Sequence, residues 1–531
     1  MPLHREAKPA PALSKAQRRY LYFTAAVSGG AIMIIEILGA KMLAPYVGTS
    51  HFVWTAQITV TLLALATGYY LGGRWVDRSP RCTSLYLAIL AAAVYLCVAM
   101  TQVERIAYAC LTFRLALGSL LASALLFFVP LALLAMVGPF LVRVLTQSLQ
   151  NVGGSMGRLT AVSTLGSVAG TILIGYVLVP LLPNSLTMML TAGLLLMVAA
   201  GHFAMWKASP GPKLAAGLAL AAAAGCGLQV HSQGLLQAAS YREIYRCNSN
   251  FGQLEVFESR QKPYRYFLND NLTQGAYDTQ ARQGIGSWAC LLHGLASAYT
   301  TNINDALVIG LGVGLVPMEL ARECARVDVV EINPAVVPLA RRYFDLQSER
   351  MNITLGDGRQ FLAECRKRYD AIVLDAFLGD SPPSHLLTRE AFSAMRHLLR
   401  PEGVLVINCW GDPAPGRDFL VASLQKTLTQ VFPSVCIRAG HDPGLVANVF
   451  FVASPAQLSI CRPPNFALVH PDNRKYAEGT FSRIVEADAS HGIILTDNYN
   501  PIDYYDAANR EESRLAMVAS MQSVARENTL P

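Results

Sequence analysis

Charge is scarce in this chain: 15% of its 531 residues are Asp, Glu, Lys or Arg, against about 25% in an ordinary soluble protein. Hydrophobic residues make up 53%, which excludes a disordered chain and argues against a wholly soluble one. Acid is rarest at the front. Residues 1–240 hold 4 Asp/Glu beside 15 Lys/Arg, a net +11, whereas residues 241–531 hold 32 beside 28, a net −4. The overall +7 therefore averages two unlike halves. Cysteine pairing is missing as well. Eleven Cys are scattered without a Cys-x-x-Cys, and an odd seven follow residue 240, so neither a disulfide framework nor a zinc site is suggested. That spacing leans towards a reducing compartment for the second half. At roughly 100 to 200 residues per domain, the length allows about three folding units or two large ones.

What is abundant is long apolar sequence. A helix needs about 20 apolar residues to cross a ~30 Å hydrocarbon layer, and seven stretches qualify: near Leu21–Ala44, Phe52–Gly73, Ser84–Val103, Leu117–Val142, Leu159–Leu182, Ser185–Trp206 and Leu214–Val230. A soluble bundle would need polar faces at helical spacing, and Ser84–Val103 has none. The expectation is a basic flank over 1–19 and a transmembrane helical bundle over 20–231. The first run is too long for a cleavable signal and lacks a clear small-residue cleavage site. Gly68-Tyr-Tyr-Leu-Gly72 and Gly166-Ser-Val-Ala-Gly170 are small-residue pairs that let helix backbones approach. They serve contacts within one chain or between two chains equally well. Glu36 and Lys41 sit in the first span, where charge is costly. Glu36 is read either as a buried structural group or as part of a cavity that attracts a cationic substrate.

Lys and Arg cluster before the first span, after the second and around the fourth and sixth connections, so the N-terminus is expected in the cytoplasm. Seven crossings would leave the second half outside. An eighth crossing near Glu104–Leu115 would bring it back.

From about Tyr241 the texture changes to turns, alternating strands and ordinary charge. Gln253–Ser259 and Tyr264–Asn269 read as an antiparallel hairpin within a β-hairpin region, 241–285. Apolar runs at Ala306–Ile309, Val327–Ile332, Ala371–Leu374 and Val404–Ile407 then alternate with helical segments such as Pro334–Phe344 and Thr388–Leu399. That alternation predicts a parallel, doubly wound α/β Rossmann-like domain of the class I methyltransferase type over 286–510, with a helix or tail over 511–531.

The first of these strands runs into Gly310-Leu-Gly312-Val-Gly314, and glycines permit a sharp turn and close approach to a ligand at the carboxyl ends of strands. The same glycines also suit tight strand-to-helix packing. Glu331 follows 21 residues after Gly310, where an acid can accept hydrogen bonds from both ribose hydroxyls. Asp357-Gly358 follows the next short strand and Asp375 closes the one after. A row of acids repels a pyrophosphate and suits a cationic sulfonium cofactor.

In Leu268-Asn-Asp-Asn-Leu-Thr-Gln274, Val308-Ile-Gly310-Leu-Gly312, Val330-Glu331-Ile-Asn333, Gly356-Asp357-Gly358 and Tyr369-Asp-Ala-Ile-Val-Leu-Asp375, the chain resembles the spermidine-synthase-like aminopropyltransferases. In Met33-Ile-Ile-Glu36, Leu159-Thr-Ala-Val-Ser-Thr-Leu-Gly166, Asp375-Ala-Phe-Leu-Gly-Asp380 and Thr496-Asp497-Asn-Tyr499 it is similar to members fused to a membrane region. The resemblance implies an integral membrane enzyme using decarboxylated S-adenosylmethionine and a polyamine or other amine, without a metal. It implies that Glu331 binds the ribose, Asp357 the adenine amino group, and Gln274 the donor pocket. Asp375 would hold and deprotonate the attacking amine, and Asp380, Asp497, Tyr499 and Trp288 are candidate substrate contacts.

A free alkylamine with a pKa near ~10 is about a thousandth neutral at pH 7, so a carboxylate must take its proton before it can attack carbon. Three positions depart from the resembled pattern. Val313 stands where an acid would hold the donor's amine, Trp288 where a Tyr would line the acceptor pocket, and Leu378 where a second acid would follow Asp375. An S-adenosylmethionine-dependent methyltransferase on a membrane-borne substrate is therefore the alternative, and a polyamine transporter or sensor the next. The basic excess flanks membrane spans, so no nucleic acid partner is expected. The expected location is the cell inner membrane, with the lipid bilayer as partner. The cofactor's synthesis favours the cytoplasmic face for the enzyme domain, and a homodimer through the hairpin region is left open.

Overall fold

The computed structural model describes residues 13–48, 51–146, 152–206, 210–232, 239–323, 326–377, 383–441 and 444–516. The chain divides into two units: one of residues up to Leu43, Trp54–Cys110 and Ala116–Gln233, the other of Ala44–Val53, Leu111–Leu115 and Gly234 onward.

The first unit is helical. Its helices are α1 (Lys15–Val47), α2 (His51–Arg78), α3 (Cys82–Cys110), α4 (Leu115–Leu145), α5 (Val152–Leu181), α6 (Asn184–Met205) and α7 (Pro210–Ser232). All seven are long and apolar enough to cross a membrane. The Glu104–Leu115 stretch adds no eighth span, because α3 continues through it to Cys110. Two of the prolines within the spans, Pro130 and Pro180, are accommodated by a local change of winding. A proline ring collides with the carbonyl four residues back and supplies no N–H. Pro130 and Pro180 each follow a π-helical turn, Ala124–Phe128 and Ile174–Leu178, whose wider winding contains that carbonyl.

Close packing explains the glycine pairs. A Cβ added to Gly170 would lie 2.6 Å from the carbonyl of Gly30, and one on Gly166 would run into the backbone of Ala26, so α5 crosses α1 at backbone distance. Gly68 and Gly72 do the same for α2 against α4, where a Cβ would stand 2.5 Å from Ala135 Cβ and 2.9 Å from Met136 Cα. Both motifs are therefore used inside one chain.

The second unit opens with a five-stranded antiparallel sheet in the order of its sequence: β1 (Tyr241–Ser249), β2 (Gly252–Ser259), β3 (Tyr264–Asn269), β4 (Leu272–Asp278) and β5 (Gln283–Gly284). The strands β3 and β4 are joined by two residues, Asp270 (φ 49°) and Asn271 (φ 63°), and Asn269 pairs with Leu272. Two left-handed residues in a two-residue loop make a type I′ turn, which Asp and Asn tolerate best among residues with side chains. That turn places Asn269 and Gln274 on one edge.

After α8 (Ser287–Tyr299) come β6 (Asp305–Ile309), α9 (Leu315–Arg322), β7 (Arg326–Glu331), α10 (Val336–Tyr343), β8 (Asn352–Leu355), α11 (Gly358–Glu364), β9 (Tyr369–Leu374), α12 (Arg389–Leu398), β10 (Leu399–Gly411), α13 (Phe419–Thr429), β11 (Ser434–Ala439) and β12 (Ala447–Ser454). The sheet order is β11-β12-β10-β9-β6-β7-β8. Pairing is parallel from β8 to β10, while β12 inserts antiparallel between β10 and β11. The wholly parallel sheet expected from the alternation is thus a mixed one, of the methyltransferase-like kind. The centres of its strands are apolar on both faces because helices cover both, with Val308, Val329, Val373 and Val406 facing one core and Leu307, Ile372, Leu405 and Phe451 the other.

Replacing Gly170 by Leu should force α1 and α5 apart at a cost of about 1 to 3 kcal/mol, the usual penalty for overpacking. Thermal unfolding in detergent should fall accordingly, with Leu165→Ala, on an exposed face of α5, as the unchanged control. An unaltered Gly170→Leu would refute the close crossing.

Candidate functional site

A cleft opens at the carboxyl ends of β6, β7 and β9, next to the point where the strand order reverses around β6, the usual ligand crevice of such sheets. Phe251, Phe267, Asn269 and Gln274 line one wall from the antiparallel sheet. Gly310, Gly312, Glu331, Asn333, Asp357, Gly358, Asp375 and His385 supply the polar surface on the other.

The three glycines of the turn have separate reasons for being glycine. All have positive φ (99°, 52° and 87°), where a side chain is strained. A Cβ on Gly310 would strike the backbone of Asp375, so this glycine lets the ends of β6 and β9 touch. A Cβ on Gly314 would strike Leu346, so this one serves packing under α9 and is absent from the described lining. Nothing stands within 4 Å of the Cβ position of Gly312, which faces open space in the cleft.

Glu331 is buried and both its oxygens are engaged by backbone. Leu311 N donates to Oε2 at 2.9 Å and Asn333 N donates to Oε1 at 2.7 Å. Burial raises its pKa above the usual carboxylate range, against the pull of those donors. The carboxylate thus ties the glycine turn to the end of β7 and keeps further lone pairs for a diol. Asp357 caps α11, accepting from Arg359 N at 2.8 Å and Gln360 N at 3.0 Å through Oδ1. Its Oδ2 lies 3.1 Å from His385 Nε2.

Asp375 follows β9, anchored by its N–H to Ile309 O at 2.9 Å. Asn408 Nδ2 donates to its Oδ1 at 2.9 Å. Burial is the largest influence on this carboxyl and pushes it up to about 6, with Asn408 opposing. A carboxylate raised in this way is a better proton acceptor than an ordinary one.

Not every residue singled out in the sequence joins this group. Trp288 packs beside Tyr264, Ala276 and Ile285, with its ring over Gly286, and is absent from the described lining. Asp497 is held by Arg359 Nη2 at 2.7 Å and by Thr388 Oγ1 at 2.6 Å, and Tyr499 lies exposed on a small turn with Thr496, both also absent from that lining. Glu36 belongs to α1 in the other unit. Asp380 and Leu378 lie outside the described residues. Val313 is buried in the core, with Cγ2 2.8 Å from where a Cβ on Gly275 would sit. Among the described residues no group of three or more His, Cys, Asp or Glu is arranged to hold a metal.

Sequence reasoning missed Phe251, Asn269, His385 and Asn408. Asn408 carried a signal, since a polar residue within the apolar run Val404-Leu-Val-Ile-Asn408 is out of place unless it is paired. Phe251 carried none.

Residues 289–447 match the family model of the spermine/spermidine synthase domain. A polyamine aminopropyltransferase of Vibrio vulnificus is 43% identical over 108 residues, covering 19% of this chain and 36% of that protein. One from Clostridium beijerinckii is 28% identical over 212 residues, covering 38% and 72%. An N-terminal histidine N-methyltransferase of Emericella nidulans is 37% identical over 136 residues, covering 25% and 24%. Of the Emericella and Vibrio proteins the chain thus spans about a quarter and just over a third. Residues 289–447 are thus similar to a spermine/spermidine synthase domain, and the chain's relatives include polyamine aminopropyltransferases. That domain is joined to a helical region apolar enough for seven membrane spans.

Glu331→Gln replaces one of the two side-chain oxygens that accept backbone N–H groups with an NH₂ donor, leaving a buried N–H facing a donor. The ligand-free protein should lose about 1 to 3 kcal/mol of stability, read by denaturant unfolding. Unchanged stability would show that the carboxylate does not hold the turn.

Proposed function

We propose that this protein is a membrane-bound polyamine aminopropyltransferase, moving the aminopropyl group of decarboxylated S-adenosylmethionine to an amine such as putrescine or spermidine. The observation that carries the reading is Asp375, a carboxylate at the cleft floor with one oxygen fixed by Asn408 and the other left for a substrate. Ionised, it holds an ammonium group and takes one proton from it. The freed nitrogen lone pair attacks the methylene carbon next to the sulfonium. The C–N bond forms as the C–S bond breaks, its electron pair stays on sulfur, and methylthioadenosine leaves as a neutral thioether. Glu331 supports the ribose, and the open face at Gly312 admits the nucleoside close to the backbone. Asp357 offers Oδ2, shared with His385, towards the adenine amino group.

Asp375→Asn keeps the Asn408 contact but cannot accept a proton. Methylthioadenosine release should fall by about 10²- to 10⁴-fold with donor binding retained, and equal turnover would reject the base assignment. In the parent protein kcat/KM should rise as pH passes through about 6, because Asp375 is protonated and inert below that value.

Two observations favour a methyltransferase as the second reading. The buried Val313 leaves the glycine turn without an acid for the donor's amine, and the Emericella relative is a methyltransferase. Calorimetry with carboxylated and decarboxylated S-adenosylmethionine separates the two, since tighter binding of the carboxylated form selects methyl transfer.

The same proposal sets the helical unit in the inner membrane. Of its 15 Lys and Arg, 12 lie at the ends or connections on the N-terminal side of seven crossings and three (Lys41, Arg105, Arg114) lie towards the other side. Positive charge stays in the cytoplasm, so seven crossings would put the synthase-like domain on the opposite face, against the expectation from cofactor supply. A C-terminal tag should be protected from protease in sealed inverted vesicles. Cleavage there would place the domain in the cytoplasm.

A further inference from the structure

Three strands bring one polar chain to the cleft floor. Parallel pairing sets Leu374 of β9 beside Ile407 of β10, so the next residues, Asp375 and Asn408, stand side by side. Antiparallel pairing sets Asn408 opposite Phe450 and Trp410 opposite Asn448. Asn448 is therefore the diagonal neighbour of Asn408 on the same face, within side-chain reach. Asn448 Nδ2 donates to Asn408 Oδ1 at 2.9 Å, and Asn408 Nδ2 donates to Asp375 Oδ1 at 2.9 Å.

The direction of this chain has a chemical consequence. An ionised carboxylate only accepts hydrogen bonds, so it requires the nitrogen of Asn408. A protonated carboxyl also has a donor and can pair with the oxygen of Asn408 if the amide turns over. Asn448 occupies that oxygen and makes turning over costly. We propose that Asn448 is a positioning residue which, through the amide of Asn408, holds Asp375 in its ionised form for the substrate amine.

This rests on the reading of Asp375 as the base. Among the described residues, the titratable groups around it are Glu331 at the end of β7, Asp357 at the start of α11, His385 in the wall, and Cys409 on β10, which also feels Asp506. None of these changes in the variants below. Burial raises Asp375 and Asn408 opposes that rise, so weakening Asn408 moves the carboxyl further up.

The test follows the pH dependence of kcat/KM for methylthioadenosine release in full-length protein. Asn448→Leu should move the acid limb up by about half to one pH unit. Asn448→Asp presents only acceptors, draws the Asn408 nitrogen away and adds charge, and should move it further. Asn448→Gln, which keeps the amide donor, should return the limb most of the way to its parent position, which a merely structural role would not do. An infrared titration of the protonated carboxyl band, assigned by its loss in Asp375→Asn, reads the same pKa without turnover. Coincident titrations in parent and all variants would overturn the role of Asn448. Absent turnover in the parent, with the infrared shift present, would overturn the transfer reaction and leave the positioning role standing.

Discussion

The carboxyl ends of β6 and β9 touch at Gly310 and Asp375. The rest of the α/β domain's cleft depends on that contact. Gly310 has no side chain, the Asp375 backbone fills the space a Cβ would need, and Asp375 N donates to Ile309 O. Two adjacent parallel strands can then end at the same level, with the glycine turn leaving one strand and the candidate base leaving the other. Any side chain at Gly310 would push Asp375 away from the glycine turn.

The acids around this contact are held by the fold before any ligand arrives. Glu331 accepts two backbone N–H groups, Asp357 caps a helix and Asp375 accepts from Asn408. Grouped carboxylates repel one another, and fixed donors offset that repulsion while setting where the remaining lone pairs point. The arrangement is preorganised for a cationic ligand of the kind proposed above, because the protein would not need to reorient dipoles as it binds.

The helical unit obeys a different constraint. In an apolar surrounding, helices gain little from hiding apolar side chains from one another, and close backbone contact takes over. Gly30, Gly166 and Gly170 on one crossing, and Gly68 and Gly72 on another, provide it. The π turns before Pro130 and Pro180 let long spans keep their course despite residues that interrupt helical hydrogen bonding.

Periodicity and length by themselves determined the seven apolar helices, the hairpin, and the order of β6 to β10 with their glycine turn and terminal acids, since each follows from neighbours in sequence. Glu331, Asp357, Asp375 and Gln274 were legible for the same reason: each ends or flanks a strand whose direction the pattern sets. Only tertiary structure decided the rest. The inserted antiparallel β12 depends on long-range pairing. So does the separation of Gly312, open to the cleft, from Gly310 and Gly314, which serve packing. Trp288, Asp497 and Tyr499 were drawn in by sequence motif and fall elsewhere, because a side chain's surroundings are set by elements far away in the chain. Asn408 and Asn448 are 40 residues apart, and only the register of β9, β10 and β12 brings them into line with Asp375.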